Sequence, residues 1–320
     1  LRYLGVNKKM KGSQDKLLKI KNKIDKDSFH LFFITNPIFE LITFLWISLL
    51  KLPEEKIILI ILRNSSTGLF KDKYIFFKKT KIDRLFHKLN FDSYSEKILK
   101  WTNQNTSKYY VYCARLHQEA EKLINQKNCL GHFYIEEGQL SHSPKKIFDK
   151  KAKVDIKKLN KPIYAANKEY HFRKDAISFI GIDNKVFPLA DKEKKIILED
   201  LDLVKEVYNP LLIGKPNIAL IPAPRRLEKI KFAEFLEVFF KSIPIGSTIK
   251  FHPGYQYSDQ KLKELENYFK SKFNNSYSVC SNKVILEIEM MYEKKSIYGS
   301  KSSLEIYAKK FRSSYKYLYL

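Results

Sequence analysis

Cysteine is scarce in this sequence, and its spacing excludes the cysteine-based classes of protein. Cys113, Cys129 and Cys280 are an odd number, and no two of them have a Cys-x-x-Cys spacing. Neither a disulfide framework nor a zinc site is therefore indicated, and a reducing cytoplasm fits best.

Long apolar runs are also lacking. The longest apolar stretch, residues 29–50, is interrupted by Asn36, Pro37 and Glu40, whereas a membrane-spanning helix needs about 20 apolar residues. The amino-terminal residues show no apolar core followed by a small-residue cleavage site, so secretion is not indicated. We expect a cytoplasmic protein, either free or peripheral at the inner membrane.

Acidic residues are in short supply, with 35 Asp and Glu against 60 Lys and Arg, which gives a net charge of +25. Such a net charge says little about the fold, but it favours binding to nucleic acid, to an anionic membrane face or to a polyanionic substrate. The lysines are spread along the whole chain, whereas nucleic-acid-binding proteins concentrate Arg and aromatic residues on one element. We therefore expect an acidic substrate or membrane surface, and not nucleic acid.

The length of 320 residues predicts two domains, and short apolar runs alternate with helical patterns in both halves, which is typical of α/β proteins. The Lys-rich segment 141–162 is the predicted linker, or else a long surface loop, so we expect domains at 1–155 and 156–320. We expect two Rossmann-like domains facing each other across a cleft. Predicted strands cover residues 30–35, 56–62, 109–113, 131–135, 176–182, 218–222, 248–251 and 295–298. Predicted helices cover residues 37–50, 116–125, 192–207, 228–242, 259–273 and 302–311.

Glu136, Glu137 and Gly138 directly follow the predicted strand 131–135. Gly138 would allow a sharp turn, and a carboxylate at a strand end can act as a general base on a hydroxyl group. Two adjacent acids repel each other, which can raise one pKa toward a useful value. Taken alone, however, Glu-Glu-Gly is more often a solvated acidic turn.

His252 and Pro253 end the predicted strand 248–251. Pro253 favours an extended backbone at His252, and an imidazolium there can donate a hydrogen bond to a phosphate oxygen. A single histidine is nevertheless more often structural or merely exposed.

Ser302 and Ser303 lie in a Gly/Ser turn between the last predicted strand and helix. Backbone N–H groups and serine hydroxyls at a helix start can bind an anion such as a nucleotide phosphate. The alternative is an ordinary helix cap, since Ser302 and Glu305 have the spacing of a capping box.

The order of these three motifs resembles that of the bacterial sialyltransferases, in particular the lipooligosaccharide sialyltransferase and capsular polysialyltransferase families. Those families have a GT-B fold and carry an acidic-acidic-Gly, a His-Pro and a Ser-Ser motif in this order. Residues 34–37 are similar to the family's first strand and Thr-Pro turn, and Glu287 resembles an acidic residue that precedes the Ser-Ser region. The chain departs from the family at the acidic motif, where Asp is frequent, and at Gly254, where a basic residue is common.

The resemblance implies an inverting transfer of sialic acid, or a related keto-acid sugar, from a CMP-sugar to a glycan such as lipooligosaccharide or capsule, without a metal or other cofactor. It implies that the 1–155 domain acts on the acceptor and the 156–320 domain binds the CMP-sugar. Glu136 resembles the general base with Glu137 and Gly138 in support, although which glutamate is the base stays open. His252 and Pro253 resemble the motif that binds the departing phosphate. The resemblance further implies phosphate contacts for Ser302 and Ser303 and a cytidine or ribose contact for Glu287.

Two other hypotheses remain open at this stage. One is a GT-B transferase that uses a UDP- or GDP-sugar. The other is a basic polyanion-binding protein without activity, which would bind in a salt-sensitive manner and would be unaffected by changes at Glu136 or His252.

Overall fold

A computed structural model of the chain divides into two compact units, which are described in turn. The first unit comprises Leu1–Ser65 and Leu69–Val204, and the second comprises Ser66–Gly68 and Lys205–Leu320. The structure describes the following residues: 15–62, 69–70, 75–78, 93–116, 118–142, 172–173, 175–223, 232–252, 255, 257–273, 276–281, 283–300 and 302–318.

The first unit is built on a seven-stranded sheet in which every neighbouring pair is parallel. Its strands are β1 (Phe29–Ile34), β2 (Ile57–Ile61), β3 (Ile75–Lys78), β4 (Tyr109–Cys113), β5 (Cys129–Ile135), β6 (Ser178–Gly181) and β7 (Lys195–Ile197). They lie in the order β3-β2-β1-β4-β5-β6-β7. The central strands are almost wholly apolar, as expected where helices cover both faces of a parallel sheet.

Three α-helices with assigned bounds belong to this unit: Pro37–Leu50, Ser93–Asn105 and Gln118–Ile124. Residues 15–21 are also helical. Short 3₁₀ turns cover Glu54–Lys56, Gln139–His142, Lys192–Lys194 and Asp202–Val204. Aromatic side chains fill much of the core, and the Tyr112 ring stacks between the rings of Phe32 and Phe133 at centroid distances of 4.2 and 4.6 Å.

The helix Pro37–Leu50 starts at the carboxyl end of β1 because Asn36 caps it and Pro37 suits its first turn. The Asn36 side-chain oxygen accepts a hydrogen bond from the N–H of Phe39 at 2.9 Å. The helix ends at Lys51, which has a left-handed φ of 54°. Ten of its 14 residues are buried, which explains its near-continuous apolar sequence. Among the residues described, no helix combines the length and apolarity needed to cross a membrane.

The second unit contains a five-stranded parallel sheet in the order β10-β9-β8-β11-β12. Its strands are β8 (Asn217–Ile221), β9 (Thr248–Phe251), β10 (Ser278–Val279), β11 (Ser296–Gly299) and β12 (Ser314–Tyr317). Its helices are Phe232–Ser242, Asp259–Lys272, Leu286–Tyr292 and Leu304–Lys310. Phenylalanines of the first two helices pack on β8 and β9 to form the largest apolar cluster of this unit.

The α/β class and the pair of Rossmann-like units agree with the sequence prediction. In each sheet the first strand in the chain lies in the interior. The next two strands are added on one side of it, and all later strands are added on its other side, which is the Rossmann pattern. The structure divides at Val204 and Lys205, later than the boundary predicted at residues 155 and 156. The reason is that β6 and β7 are hydrogen-bonded to β5 and extend the first sheet.

The predicted helix at 192–207 is wrong, since this segment holds β7 between two 3₁₀ turns. Its apolar run is short, and short runs do not distinguish a helix from a strand by periodicity. The prediction also missed the strands β3, β7, β10 and β12 and the helices Ser93–Asn105 and Leu286–Tyr292. Most of the predicted linker lies outside the described residues, and its first two residues, Ser141 and His142, belong to the first unit.

Candidate functional site

Each sheet has a point at which the strand order reverses, and ligands of such folds bind beyond the carboxyl ends of the strands at that point. In the first unit the reversal lies between β1 and β4, and in the second between β8 and β11. The acidic motif follows β5, which is the neighbour of β4. The Ser-Ser segment follows β11, and His252 follows β9, the neighbour of β8.

Glu136, the predicted base, is completely buried in the first unit. Its Oε1 lies 2.7 Å from Nε2 of His142, and its Oε2 accepts a hydrogen bond from the N–H of Ile182 at 2.8 Å. Both carboxylate oxygens are thus engaged by groups of the same unit. The sequence carries no signal that links His142 to Glu136, because His142 lies at the start of the segment predicted as a linker.

Glu137 has a different environment, although it is the next residue. Both main-chain polar groups of Glu137 are hydrogen-bonded. Its N–H donates to the Ser141 hydroxyl at 2.9 Å, and its carbonyl accepts from the Asn36 side-chain amide at 2.7 Å. The residue is partly exposed, and within the described ranges no hydrogen bond or ion pair of its carboxylate is present. Its charge helps to raise the pKa of the Cys113 thiol, which burial raises most.

The loop that carries these residues is tightly fixed. Gly138 has a φ of 103°, which glycine tolerates and other residues rarely adopt. The N–H of buried Ser141 donates to the Gly138 carbonyl at 3.0 Å, and the Ser141 carbonyl accepts from the N–H of Phe187 at 2.7 Å. Phe187 is itself buried and has a left-handed φ of 48°, a strained state for a bulky residue.

Gly181, the last residue of β6, makes room for the buried glutamate. A Cβ atom at this position would lie 2.7 Å from Oε2 of Glu136 and 2.7 Å from Cγ1 of Val186. Every larger residue would therefore push Glu136 away from its place. The sequence shows Gly181 only as a glycine near a strand end, and its role depends on the contact.

In the second unit, His252 lies at the carboxyl end of β9, where its N–H continues the sheet by donating to the Ile221 carbonyl at 3.1 Å. The residue is exposed. Pro253, the other half of the predicted motif, lies outside the described residues. Nearby on β9, the Lys250 ammonium group donates to the Val284 carbonyl at 2.9 Å, which places a positive charge close to the same edge.

Ser302 and Ser303 lead into the helix Leu304–Lys310 and are both partly buried. Ser303 is the N-cap residue, and its side chain makes no capping hydrogen bond. The Ser302 hydroxyl accepts from the N–H of Leu304 at 3.3 Å. The capping box is not the arrangement found, because the Glu305 carboxylate accepts a hydrogen bond from the Tyr317 hydroxyl.

Gly299, the last residue of β11 before these serines, lies close to side chains of the neighbouring strands β8 and β12. A Cβ atom on Gly299 would lie 3.0 Å from the Cβ of Leu220 and 3.1 Å from the Tyr315 hydroxyl oxygen. Neighbouring strands are about 4.8 Å apart, so the ends of β9 and β11, which flank β8, are separated by about 10 Å. His252 and the serine pair therefore share one edge of the second unit at a spacing that one nucleotide can span.

Glu287, predicted to contact the nucleotide, lies in the first turn of the helix Leu286–Tyr292 and is partly buried. Burial raises its pKa, while a backbone hydrogen bond and the charge of Lys250 act in the opposite direction. This places an acidic group and Lys250 in the same part of the unit as His252.

Glu289, for which the sequence predicted no role, has a structural one. Its carboxylate is fully buried and accepts hydrogen bonds from the Tyr208 hydroxyl at 2.8 Å and from the N–H groups of Leu211 and Leu212 at 2.8 and 3.0 Å. It thereby ties residues 208–212 to the helix Leu286–Tyr292, and no sequence signal separates it from Glu287 two positions earlier.

No cluster of three or more His, Cys, Asp or Glu side chains suited to a metal ion occurs in the part of the chain that the structure describes. The two candidate regions instead offer carboxylates, histidines and serine hydroxyls. Such groups can take up a proton from a hydroxyl and donate hydrogen bonds to a phosphate.

No protein-family model matches the sequence, and no curated protein matches it. Among solved structures, the chain is similar to Anabaena HepE in complex with UDP-glucose, at 10% identity and a TM-score of 0.42, over 91% of this chain and 80% of that one. It is similar to a variant of the wall teichoic acid polymerase TagF at 10% identity and a TM-score of 0.42, over 98% and 76% of the two chains. A glycosyltransferase from Rickettsia africae matches at 11% identity and a TM-score of 0.35, over 91% and 79%.

Proposed function

We propose that the chain is an inverting glycosyltransferase that moves sialic acid, or a related keto-acid sugar, from a CMP-sugar to a hydroxyl group of a cell-surface glycan such as lipooligosaccharide or capsule. The observation that carries this proposal is the position of Glu136, His252 and Ser302, which follow the carboxyl ends of three parallel strands. This is where Rossmann-like folds bind nucleotides and substrates.

The second unit supplies the groups that a CMP-sugar donor requires. When the glycosidic bond breaks, negative charge develops on the single phosphate of CMP. A hydrogen bond from the exposed His252 imidazolium and others from the hydroxyl groups of Ser302 and Ser303 stabilise that charge. A diphosphate leaving group carries more charge and commonly requires a cation, so this set of residues suits a monophosphate without a metal.

The first unit supplies the group that acts on the acceptor. A sugar hydroxyl is a poor nucleophile, and a positioned base that removes its proton accelerates attack by roughly 10² to 10⁴-fold. The acidic motif holds two candidates for this task, buried Glu136 and partly exposed Glu137. The net charge of +25 further suits an acidic acceptor glycan or an anionic membrane face beside it.

A donor panel tests the proposal directly. The purified protein is incubated with CMP-sialic acid, UDP-glucose, UDP-N-acetylglucosamine and a GDP-sugar, each with desialylated lipooligosaccharide, and the released nucleotide is measured. We expect release of CMP alone, with the rate unchanged in EDTA because no step requires a metal. Release of UDP or GDP would assign a different donor class. Salt-sensitive binding of polyanions without turnover would identify a binding protein instead.

A further inference from the structure

The strands of the second sheet are all parallel, so their amino-terminal ends lie together at one edge, opposite the edge that His252 and Ser302 follow. Two neighbouring loops of this amino-terminal edge, which lead into β8 and β9, expose large apolar side chains. These are Val207, Leu211, Ile213 and Ile245, which are 49, 52, 57 and 80% exposed. Single exposed apolar residues are common on protein surfaces, but a group of them in adjacent loops marks a place of interaction.

The loop that leads into β8 is held with its apolar side chains pointing outward. The buried Glu289 carboxylate accepts hydrogen bonds from the N–H groups of Leu211 and Leu212 at 2.8 and 3.0 Å. The buried Lys295 ammonium group donates to the Leu212 carbonyl at 2.5 Å. Leu212 is buried, whereas its neighbours Leu211 and Ile213 are exposed. One leucine therefore anchors the loop, and the two residues beside it face solvent.

Basic side chains lie among these apolar residues. An exposed Lys or Arg precedes each of the five strands, and from β8 to β12 these are Lys215, Lys241, Lys272, Lys294 and Arg312. Lysines at the carboxyl ends of helices, such as Lys241 and Lys272, are favoured by the helix dipole alone, so the charge by itself would not indicate a partner. The dipole does not explain the exposed apolar side chains. Apolar and basic groups on one surface are typical of proteins that bind the membrane interface.

A groove of about 570 Å³ beside Ile245 repeats this combination on a smaller scale. Its lining includes the aromatic residues Phe240, Phe273 and Tyr277 and the basic residues Lys241 and Lys272. Glu237 also lines the groove, but its carboxylate lies 3.8 Å from the Lys272 ammonium group, so these two charges offset each other and Lys241 leaves an excess of positive charge. An aromatic wall with an excess positive charge suits an amphiphile with an anionic head group.

We propose that the amino-terminal edge of the second sheet is a membrane-binding surface for bilayers that contain anionic phospholipids. The exposed apolar side chains enter the boundary between head groups and acyl chains, and the basic side chains contact the lipid phosphates. Contact at this edge leaves the opposite edge, with His252 and Ser302, open to a nucleotide. The inference goes beyond the proposed function, because it does not depend on which donor or acceptor the chain uses.

Sedimentation of the full chain with vesicles tests the proposal. The wild type should bind vesicles of equimolar phosphatidylcholine and phosphatidylglycerol at least about tenfold more tightly than vesicles of phosphatidylcholine alone, and salt should weaken this binding. A triple variant with Leu211→Ser, Ile213→Ser and Ile245→Ser should bind the anionic vesicles at least about tenfold more weakly. Its melting temperature should be that of the wild type because these side chains are exposed.

The matched control is a triple variant at exposed leucines of the first unit, with Leu18→Ser, Leu130→Ser and Leu189→Ser. It removes a similar amount of exposed apolar surface and should bind the anionic vesicles as the wild type does. Lys241→Gln and Lys294→Gln should each weaken binding to anionic vesicles by up to about fivefold and leave binding to phosphatidylcholine unchanged.

Tryptophan fluorescence distinguishes insertion from attraction by charge alone. Ile245→Trp should shift its emission to the blue when anionic vesicles are added, because the new ring leaves water for the lipid boundary. Leu189→Trp is the control and should show no such shift. The chain contains two native tryptophans, so both variants are measured as differences from the wild type.

Wild-type vesicle binding by the Leu211, Ile213 and Ile245 variant, or the absence of a blue shift in Ile245→Trp, would overturn the proposal. Self-association of the wild type that this triple variant abolishes, without any binding to vesicles, would also overturn it and would identify an interface between copies of the chain. None of these results bears on the proposed function, because the donor panel contains no phospholipid vesicles. Failure of every donor in that panel would remove the proposed function and leave the membrane surface unaffected.

Discussion

The two candidate regions differ in how their functional side chains are held. In the first unit, Glu136 is buried and hydrogen-bonded to His142 and to the main chain of Ile182. In the second unit, His252 is exposed and the Ser303 side chain makes no capping hydrogen bond. The difference is therefore one of exposure: the acidic residue proposed to act on the acceptor is enclosed by its own unit, whereas the histidine proposed to bind the phosphate faces solvent.

This contrast has a physical reason. A base has to be aligned with one proton, and errors of about 1 Å cost rate, so its support is built into the fold. Phosphate oxygens are strong acceptors of hydrogen bonds, and a nucleotide reaches its ligands from solvent, so exposed donors suit that role. Substitutions in each unit test this contrast, and the pH dependence of unfolding extends the comparison of the two units.

The largest expected effect is that of His252→Ala. Under the proposed function the substitution removes a hydrogen-bond donor to the leaving phosphate and should lower kcat by about 10² to 10³-fold. The melting temperature should stay unchanged because the side chain is exposed. Steady-state kinetics with CMP release, together with thermal unfolding, measure both quantities. Ser302→Ala and Ser303→Ala serve as comparison, with expected losses of about 2 to 10-fold each. Activity near wild type in His252→Ala would exclude the residue from the donor site.

Gly181→Ala should have an intermediate effect. The new methyl group would lie 2.7 Å from Oε2 of Glu136, so the glutamate and its partner His142 have to shift. We expect a fall of at least tenfold in kcat and a loss of about 1 to 3 kcal/mol in the free energy of unfolding, as for other overpacked sites.

The corresponding glycine in the second unit provides a matched comparison. A Cβ on Gly299 would lie 3.0 Å from the Cβ of Leu220, which is a milder approach, and the residue precedes the serine segment. Gly299→Ala should therefore raise the KM for the donor more than it lowers kcat. Equal effects of the two substitutions on KM and kcat would contradict the proposal that the first unit acts on the acceptor and the second binds the donor.

The smallest expected effect is a difference in acid stability between the units. Burial lowers the pKa of both His30 and His132, in the first unit, to about 4. The charge of Asp25 partly raises the pKa of His30 again. The charge of Asp175 likewise raises the pKa of His132, whereas the charges of Arg173 and Lys194 lower it further.

In the unfolded chain these histidines have a pKa of about 6.5. Above that pH they are neutral in both the folded and the unfolded state, so the first unit has its full stability there. The stabilisation is lost as the pH falls from 6.5 toward 4, since the unfolded chain then binds more protons. Between pH 7.5 and 5 each histidine should cost roughly 2 kcal/mol of unfolding free energy. Urea unfolding at the two pH values measures the loss, and His30→Gln should reduce it. The second unit contains a single histidine, exposed His252, and should change less.

The sequence by itself determined the α/β class, most strands of both sheets and the helix Pro37–Leu50, because these depend on apolar periodicity and local capping. It also placed the three motifs at strand ends. The unit boundary, the edge strand β7 and the short helix Leu286–Tyr292 depended on pairing and packing with distant residues, so local pattern did not reveal them.

The difference between the two glutamates of the acidic motif depends on the fold and cannot be predicted from the sequence. Two adjacent glutamates look equivalent in the sequence, yet alternating side-chain direction at the end of β5 buries Glu136 and leaves Glu137 partly exposed. His142 comes from a 3₁₀ turn, Gly181 is the last residue of β6 and Ile182 follows it. The parallel pairing of β5 and β6 brings Gly181 and Ile182 to Glu136. Such contacts are set by burial and by hydrogen-bond satisfaction across the sheet, which no local pattern encodes.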